Sequence, residues 1–123
     1  LEYSSRIQGV IDFYGVTDFT YKSDGADDLD QVVRQFLGGN SLEEEASACL
    51  HVDADTPPFL IFHGDRDELS DICQSEKMYQ NLVKQGISAD FYILEGCGHG
   101  ADEFYQEEIL EIVADFIHEK EKK

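Results

Sequence analysis

The sequence predicts an α/β fold, a three-stranded parallel sheet with flanking helices. Three observations predict it. Phe59-Leu60-Ile61-Phe62 is a continuous apolar run of strand length, as expected of a central parallel strand covered on both faces, and Phe91-Tyr92-Ile93-Leu94 centres a further strand. Stretches of helical periodicity follow each of them. The resulting order, β, helical excursion, β, α, β, α, is the alternation that builds parallel sheets with right-handed crossovers.

The first strand is expected over 7–14, rich in β-branched and aromatic residues and closed by Gly15. A polar stretch from Thr17 to Asp28 reads as a loop. Residues 29–37 place Leu29, Val32, Val33, Phe36 and Leu37 at helical spacing, with Gly38-Gly39 as a stop. Ser41 and Glu44 have capping-box spacing for a helix ending near Leu50. Pro57-Pro58 then punctuates the chain before the second strand, which runs out at His63-Gly64. Asp71 is positioned to cap a helix over 72–85, with Ile72, Met78, Tyr79, Leu82 and Val83 as its apolar face and Gly86 as its end. The third strand is expected over 89–94. A last helix over 103–119 carries a stripe of Ile109, Ile112, Val113, Phe116 and Ile117, and the tail Lys120-Glu121-Lys122-Lys123 puts cations near its negative end. Three strands leave both sheet edges open, so this is expected to be part of a larger sheet.

The 123 residues carry 27 acidic and 9 basic side chains, a net charge of −18. The excess is spread over both halves of the chain, leaving no basic face. Nucleic-acid and anionic-membrane binding are therefore disfavoured. No stretch approaches the roughly 20 apolar residues of a spanning helix. The N-terminus has no basic n-region or apolar h-region and does not begin with Met, which reads as a cut piece rather than a secretory start. Cys49, Cys73 and Cys97 are odd in number and match no zinc spacing. Reduced thiols and a cytoplasmic location are the expectation. The acidic run Asp24–Asp28 lacks the spacing and distal Glu of an EF-hand loop. No metal or organic cofactor is implied.

Parallel α/β sheets gather chemistry on the loops at the carboxyl ends of their strands. Two such loops are rich in ionisable groups, His63-Gly64-Asp65-Arg66-Asp67-Glu68 and Glu95-Gly96-Cys97-Gly98-His99-Gly100. Neighbouring strands would bring a carboxylate of the first loop to the imidazole of the second. That is the acid–histidine half of a triad, and acid before histidine is the chain order of α/β-hydrolases.

These same segments resemble a known family. Pro57 to Asp67 resembles the strand-and-acid segment of α/β-hydrolase serine esterases. Gln74 to Tyr79 resembles the helix after it, Glu95 to Gly100 the histidine loop, and Ile7 to Asp18, with Asp12-Phe13-Tyr14-Gly15-Val16-Thr17-Asp18, the strand just beyond the nucleophile region. The likeness is to bacterial feruloyl- and acetyl-xylan-type esterases and related acetyl esterases and lipases. It implies that residues 1–123 are the C-terminal segment of an α/β-hydrolase catalytic domain. It also implies Asp67 as the acid and His99 as the base. Asp65 is the rival acid, read as a turn former through side-chain-to-backbone bonds, and His63 reads as a packing residue at the strand end. Cys97 falls where the family has a small residue, and His51 and His118 read as surface residues. Val16 replaces the family's usual Pro, and Leu69-Ser70-Asp71 replaces a Leu-Val-Pro-like stretch. The chain holds no Gly-x-Ser-x-Gly and no HGGG-type loop, so it contains two of three triad members. The resemblance thus implies part of a serine carboxylic-ester hydrolase acting on a small ester, inactive by itself. The alternative is a non-catalytic binding module derived from such a hydrolase. A carboxylate-to-imidazole distance of about 2.6–3.2 Å is expected for a preformed pair. The open first strand and exposed sheet faces predict a homo-oligomer.

Overall fold

A computed structural model describes residues 6–20, 32, 34–38 and 42–121. The strands are β1 (Val10–Phe13), β2 (Phe59–Gly64) and β3 (Ala89–Leu94). The helices are a short α1 (Glu43–Ala46), α2 (Cys73–Lys84) and α3 (Glu107–Glu121), with 3-10 turns at Ala48–His51 and Asp102–Tyr105. The sheet is parallel throughout, in the order β1-β2-β3. Of the expected helix at 29–37, residues 32 and 34–36 are helical, while 29–31 and 33 lie outside the described residues, as do Ser41 and the Asp24–Asp28 run.

Burial follows strand alternation. On β2, Leu60 and Phe62 face α3 and Ile61 faces α2, all at most 2% exposed. The α2 side is aliphatic and sulfur-rich, built on Cys49, Ile61, Met78 and Leu82. The α3 side is aromatic. Phe62 stacks between Phe13 at 5.1 Å and Tyr92 at 5.3 Å, and Phe104 closes the layer edge-on against Phe13 at 6.1 Å. Truncating a fully buried ring such as Phe62 costs about 3–5 kcal/mol.

Several expected boundaries moved, each for a physical reason. β1 is shorter than 7–14. Its first residue pairs with Phe59, and the Val10 N–H donates to the Pro58 carbonyl at 2.9 Å. Upstream of Phe59 the partner is Pro57-Pro58, which has no N–H to offer. At its other end Tyr14 turns to a φ of 46° and leaves the strand. The helix expected from Ser41 to Leu50 is a four-residue α1 followed by a separate 3-10 turn, with Leu42 at the N-cap position and no side-chain cap. α2 starts one residue late, at Cys73, whose N–H is held by Asp71 Oδ1 at 2.9 Å. The helix expected from Glu103 begins instead at Glu107. Asp102–Tyr105 forms a 3-10 turn that drives Phe104 to full burial, and Gln106 is extended. Val83 and Ile117, both assigned to apolar faces, are 52% and 43% exposed. Among the described residues no helix is long and apolar enough to cross a membrane.

Candidate active site

Asp67 and His99 sit on the loops that leave β2 and β3, and the sheet register sets those loops side by side. Gly64 pairs with Leu94 at the last step of the ladder. Beyond it the Asp65 N–H donates to the Leu94 carbonyl at 3.2 Å and the Arg66 N–H to the Cys97 carbonyl at 3.0 Å. Gly64 is obligatory here, because a Cβ at that position would lie 2.1 Å from the Cys97 carbonyl oxygen. Asp65 takes the turn-forming role expected of it. Its Oδ1 accepts the Gly96 N–H at 2.7 Å and stitches the two loops together.

Asp67 is fully buried as a side chain. Its Oδ1 accepts the N–H groups of Leu69 at 2.9 Å and Ser70 at 2.7 Å. Leu69-Ser70-Asp71, where the sequence departs from the family pattern, thus supplies backbone donors to the acid. The other oxygen, Oδ2, lies 2.8 Å from His99 Nδ1, inside the range expected for a preformed pair. A carboxylate only accepts, so Nδ1 carries the hydrogen. Nε2 is then the basic nitrogen, on a side chain that is 33% exposed. Loop glycines make this approach possible. Gly96 and Gly100 have φ of 75° and 65°, a region costly for any residue with a Cβ.

Sequence reasoning missed two neighbours of the pair. Tyr14 packs its ring edge-on to His99, centroid to centroid 4.3 Å. It does so from a left-handed backbone, a strained conformation of the kind that collects at functional sites. A hydrogen bond with the Tyr105 hydroxyl, then burial and the Asp67 charge, push its phenol up and keep it protonated. The signal available was its place directly after a strand and before Gly15. His63, expected only to pack the strand end, is buried and reaches Asp67 Oδ2 at 3.3 Å. Its spacing of four residues ahead of the acid was the available signal.

The remaining candidates take no part. Cys97 is 7% exposed, and burial together with the Glu103 and Asp65 carboxylates pushes its thiol up, which suppresses thiolate chemistry. His51 and His118 are on the surface, as expected. Among the described residues no group of three or more His, Cys, Asp or Glu side chains is placed to hold a metal ion.

Comparison with known proteins identifies the family and the fold. The BD-FAE family model matches residues 1–82. LipM of Mycobacterium tuberculosis, named a probable carboxylic ester hydrolase, is 33% identical over 88 residues, covering 66% of this chain and 20% of that protein. The solved structure of a truncated form of a carbohydrate esterase from gut microbiota superposes with a TM-score of 0.85 at 27% identity, covering 99% of this chain and 45% of that one. An acetyl ester-xyloside bifunctional hydrolase from Caldicellulosiruptor lactoaceticus shares the fold, with a TM-score of 0.78 at 20% identity over 93% of this chain and 43% of that one. The chain therefore spans less than half the length of each of these relatives. Its three parallel strands and their helices are a portion of the α/β-hydrolase fold of these esterases, and the chain belongs to the BD-FAE family.

Proposed function

We propose that this chain is the C-terminal segment of the catalytic domain of a carboxylic-ester hydrolase and supplies the acid and base of its Ser-His-Asp triad. The observation that carries this reading is the 2.8 Å contact between a buried, backbone-anchored Asp67 and a part-exposed His99. In this mechanism Asp67 holds the His99 ring with its hydrogen on Nδ1 and balances the imidazolium charge. His99 Nε2 takes the proton of a serine hydroxyl as that oxygen attacks the ester carbonyl, and later returns it to the leaving alcohol. No Gly-x-Ser-x-Gly stands in these 123 residues, so the serine belongs to the rest of the parent protein. The relatives' names support a small acyl group carried on a carbohydrate as the substrate. Cys49, Cys73 and Cys97 are in no disulfide, which supports a cytoplasmic setting. A groove of about 350 Å³ between the segment leading into β1 and α3, lined by Ile7, Ile11 and Phe116, supports association of copies of the isolated chain.

The test is hydrolysis of p-nitrophenyl acetate by the parent protein, in which His99→Ala and Asp67→Ala should each lower kcat/KM more than about 1,000-fold. Wild-type rates in either variant overturn the assignment. The 123-residue chain alone should show neither saturable, His99-dependent hydrolysis nor labelling by a serine-directed fluorophosphonate.

A further inference from the structure

We propose that His63 is a positioning residue for the Asp67–His99 pair, acting through the Asp67 carboxylate; this rests on the reading of those two residues as acid and base. On β2 the side chains facing α2 are apolar until His63, which is completely buried. An isoleucine, as at Ile61, would fill such a place without the desolvation cost of an imidazole. The imidazole is matched by partners at both nitrogens. Nε2 lies 2.7 Å from the Ser70 carbonyl oxygen and 3.3 Å from Asp67 Oδ2. Nδ1 lies 2.6 Å from Ser75 Oγ, on the first turn of α2. A carbonyl oxygen only accepts, so Nε2 carries the hydrogen and donates it to Ser70. In the neutral ring Nδ1 then accepts the Ser75 hydroxyl hydrogen.

The result is a chain of contacts from α2 through the sheet to the base: Ser75, His63, Asp67, His99. Asp67 is held from two directions. Its own loop fixes Oδ1 through two backbone N–H groups, and the strand beneath sets the Nε2 edge of His63 3.3 Å from Oδ2, the oxygen that accepts from His99. Ser70 ties the two devices together, since its N–H donates to Asp67 and its carbonyl accepts from His63. His63 thereby fixes Ser70, and through the Ser70 N–H it fixes the carboxylate that sets the direction in which His99 Nε2 faces. An apolar residue of equal volume would fill the space and leave the Ser70 carbonyl without its donor.

Histidine-labelled NMR of the 123-residue chain tests this. In the wild type, long-range proton–nitrogen correlations at pH 7 should show His63 with its hydrogen on Nε2; a neutral ring carrying it on Nδ1 overturns the proposal even if no variant folds. Two near-isosteric variants then separate positioning from packing. His63→Gln places an amide N–H where Nε2 was, whereas His63→Asn places it on the Ser75 side, out of reach of the Ser70 carbonyl. The His99 Nδ1–H signal should survive in His63→Gln and exchange at least about tenfold faster in His63→Asn. Equal exchange in the two overturns the proposal. Asp67→Ala distinguishes the two levels of failure. If it leaves the His99 signal unchanged, the acid–base reading itself falls; if it abolishes the signal while the His63 variants behave alike, only the role of His63 falls.

Discussion

The two loops of the site solve opposite problems. The loop after β2 immobilises a charge. Asp67 has no exposed side-chain surface and three N–H groups on its two oxygens, from Leu69, Ser70 and His99, with His63 Nε2 a further 3.3 Å contact. The loop after β3 presents a base. His99 has one nitrogen engaged, a third of its side chain exposed, and positive-φ glycines at Gly96 and Gly100 in place of side-chain anchors. A buried carboxylate must be satisfied by donors or its desolvation is uncompensated, whereas a base that exchanges protons with substrate must keep one nitrogen accessible. Burial is thus spent on the residue that orients, and exposure is reserved for the residue that reacts.

The comparison breaks most completely at the contact that joins the loops. Gly64→Ala sets a Cβ against the Cys97 carbonyl, and backbone must move to relieve it. A loss of about 3 kcal/mol or more in urea unfolding is expected, with the His99 Nδ1–H signal lost alongside. The next largest effect separates the loops. Asp67→Ala leaves the N–H of the buried Ser70 without its acceptor and should cost about 2 kcal/mol of stability. His99→Ala removes one part-exposed contact and should cost under about 1 kcal/mol by the same denaturant titration. Equal costs would mean that the acid is no better anchored than the base.

Asp12, at the carboxyl-terminal half of β1, sharpens the rule about buried carboxylates because it is less well satisfied. Its Oδ1 accepts the Gly15 N–H at 2.8 Å, while its buried Oδ2 has no partner. Burial raises its carboxyl above the ordinary 3.8, and the Gly15 amide opposes the rise only in part. The folded state therefore holds this proton more tightly than the unfolded chain, so Asp12 favours folding at low pH. That contribution fades as pH climbs from about 3.8 through the raised folded value. Asp12→Asn, which keeps the Gly15 bond, should be more stable than wild type at pH 7, and the gap should narrow below pH 4 in thermal melts. A gap that widens on acidification would reverse the assignment.

The smallest effects distinguish the glycines around Cys97. Gly96→Ala meets open space but must hold a φ of 75°, and should cost about 1 kcal/mol. Gly98→Ala has ordinary contact with the Arg66 carbonyl at 3.6 Å and no positive φ, and should stay within about 0.5 kcal/mol of wild type. Chemical denaturation of the two single variants checks the difference.

How much of this was legible in advance depended on whether the deciding forces were local. β3 spans the expected 89–94, and β2 was found at Phe59–Phe62 with His63-Gly64 as its last step, because continuous apolar runs between turn residues leave little choice. Asp67 and His99 were readable as candidates from loop composition and family resemblance. The partners of Asp67 were not, since His63 is adjacent to it only once β2 is straight and the following loop has turned back. The edges of the apolar faces were misjudged for a related reason. Periodicity gives a stripe, but the neighbouring strand decides how wide a stripe it covers, and Val83 and Ile117 fall beyond that width.

By itself the sequence determined the element order, the parallel sheet and the two loops where chemistry gathers, because hydrophobic period and turn residues are properties of short segments. The tertiary structure alone decided where β1 begins, since the prolines opposite it set its pairing limit. It alone set Phe104 in a 3-10 turn, since filling the aromatic layer outweighed four more residues of helix. And it alone decided that a histidine read as packing touches the acid, since that contact depends on β2 and its following loop meeting in space, a meeting that neither segment specifies without the other.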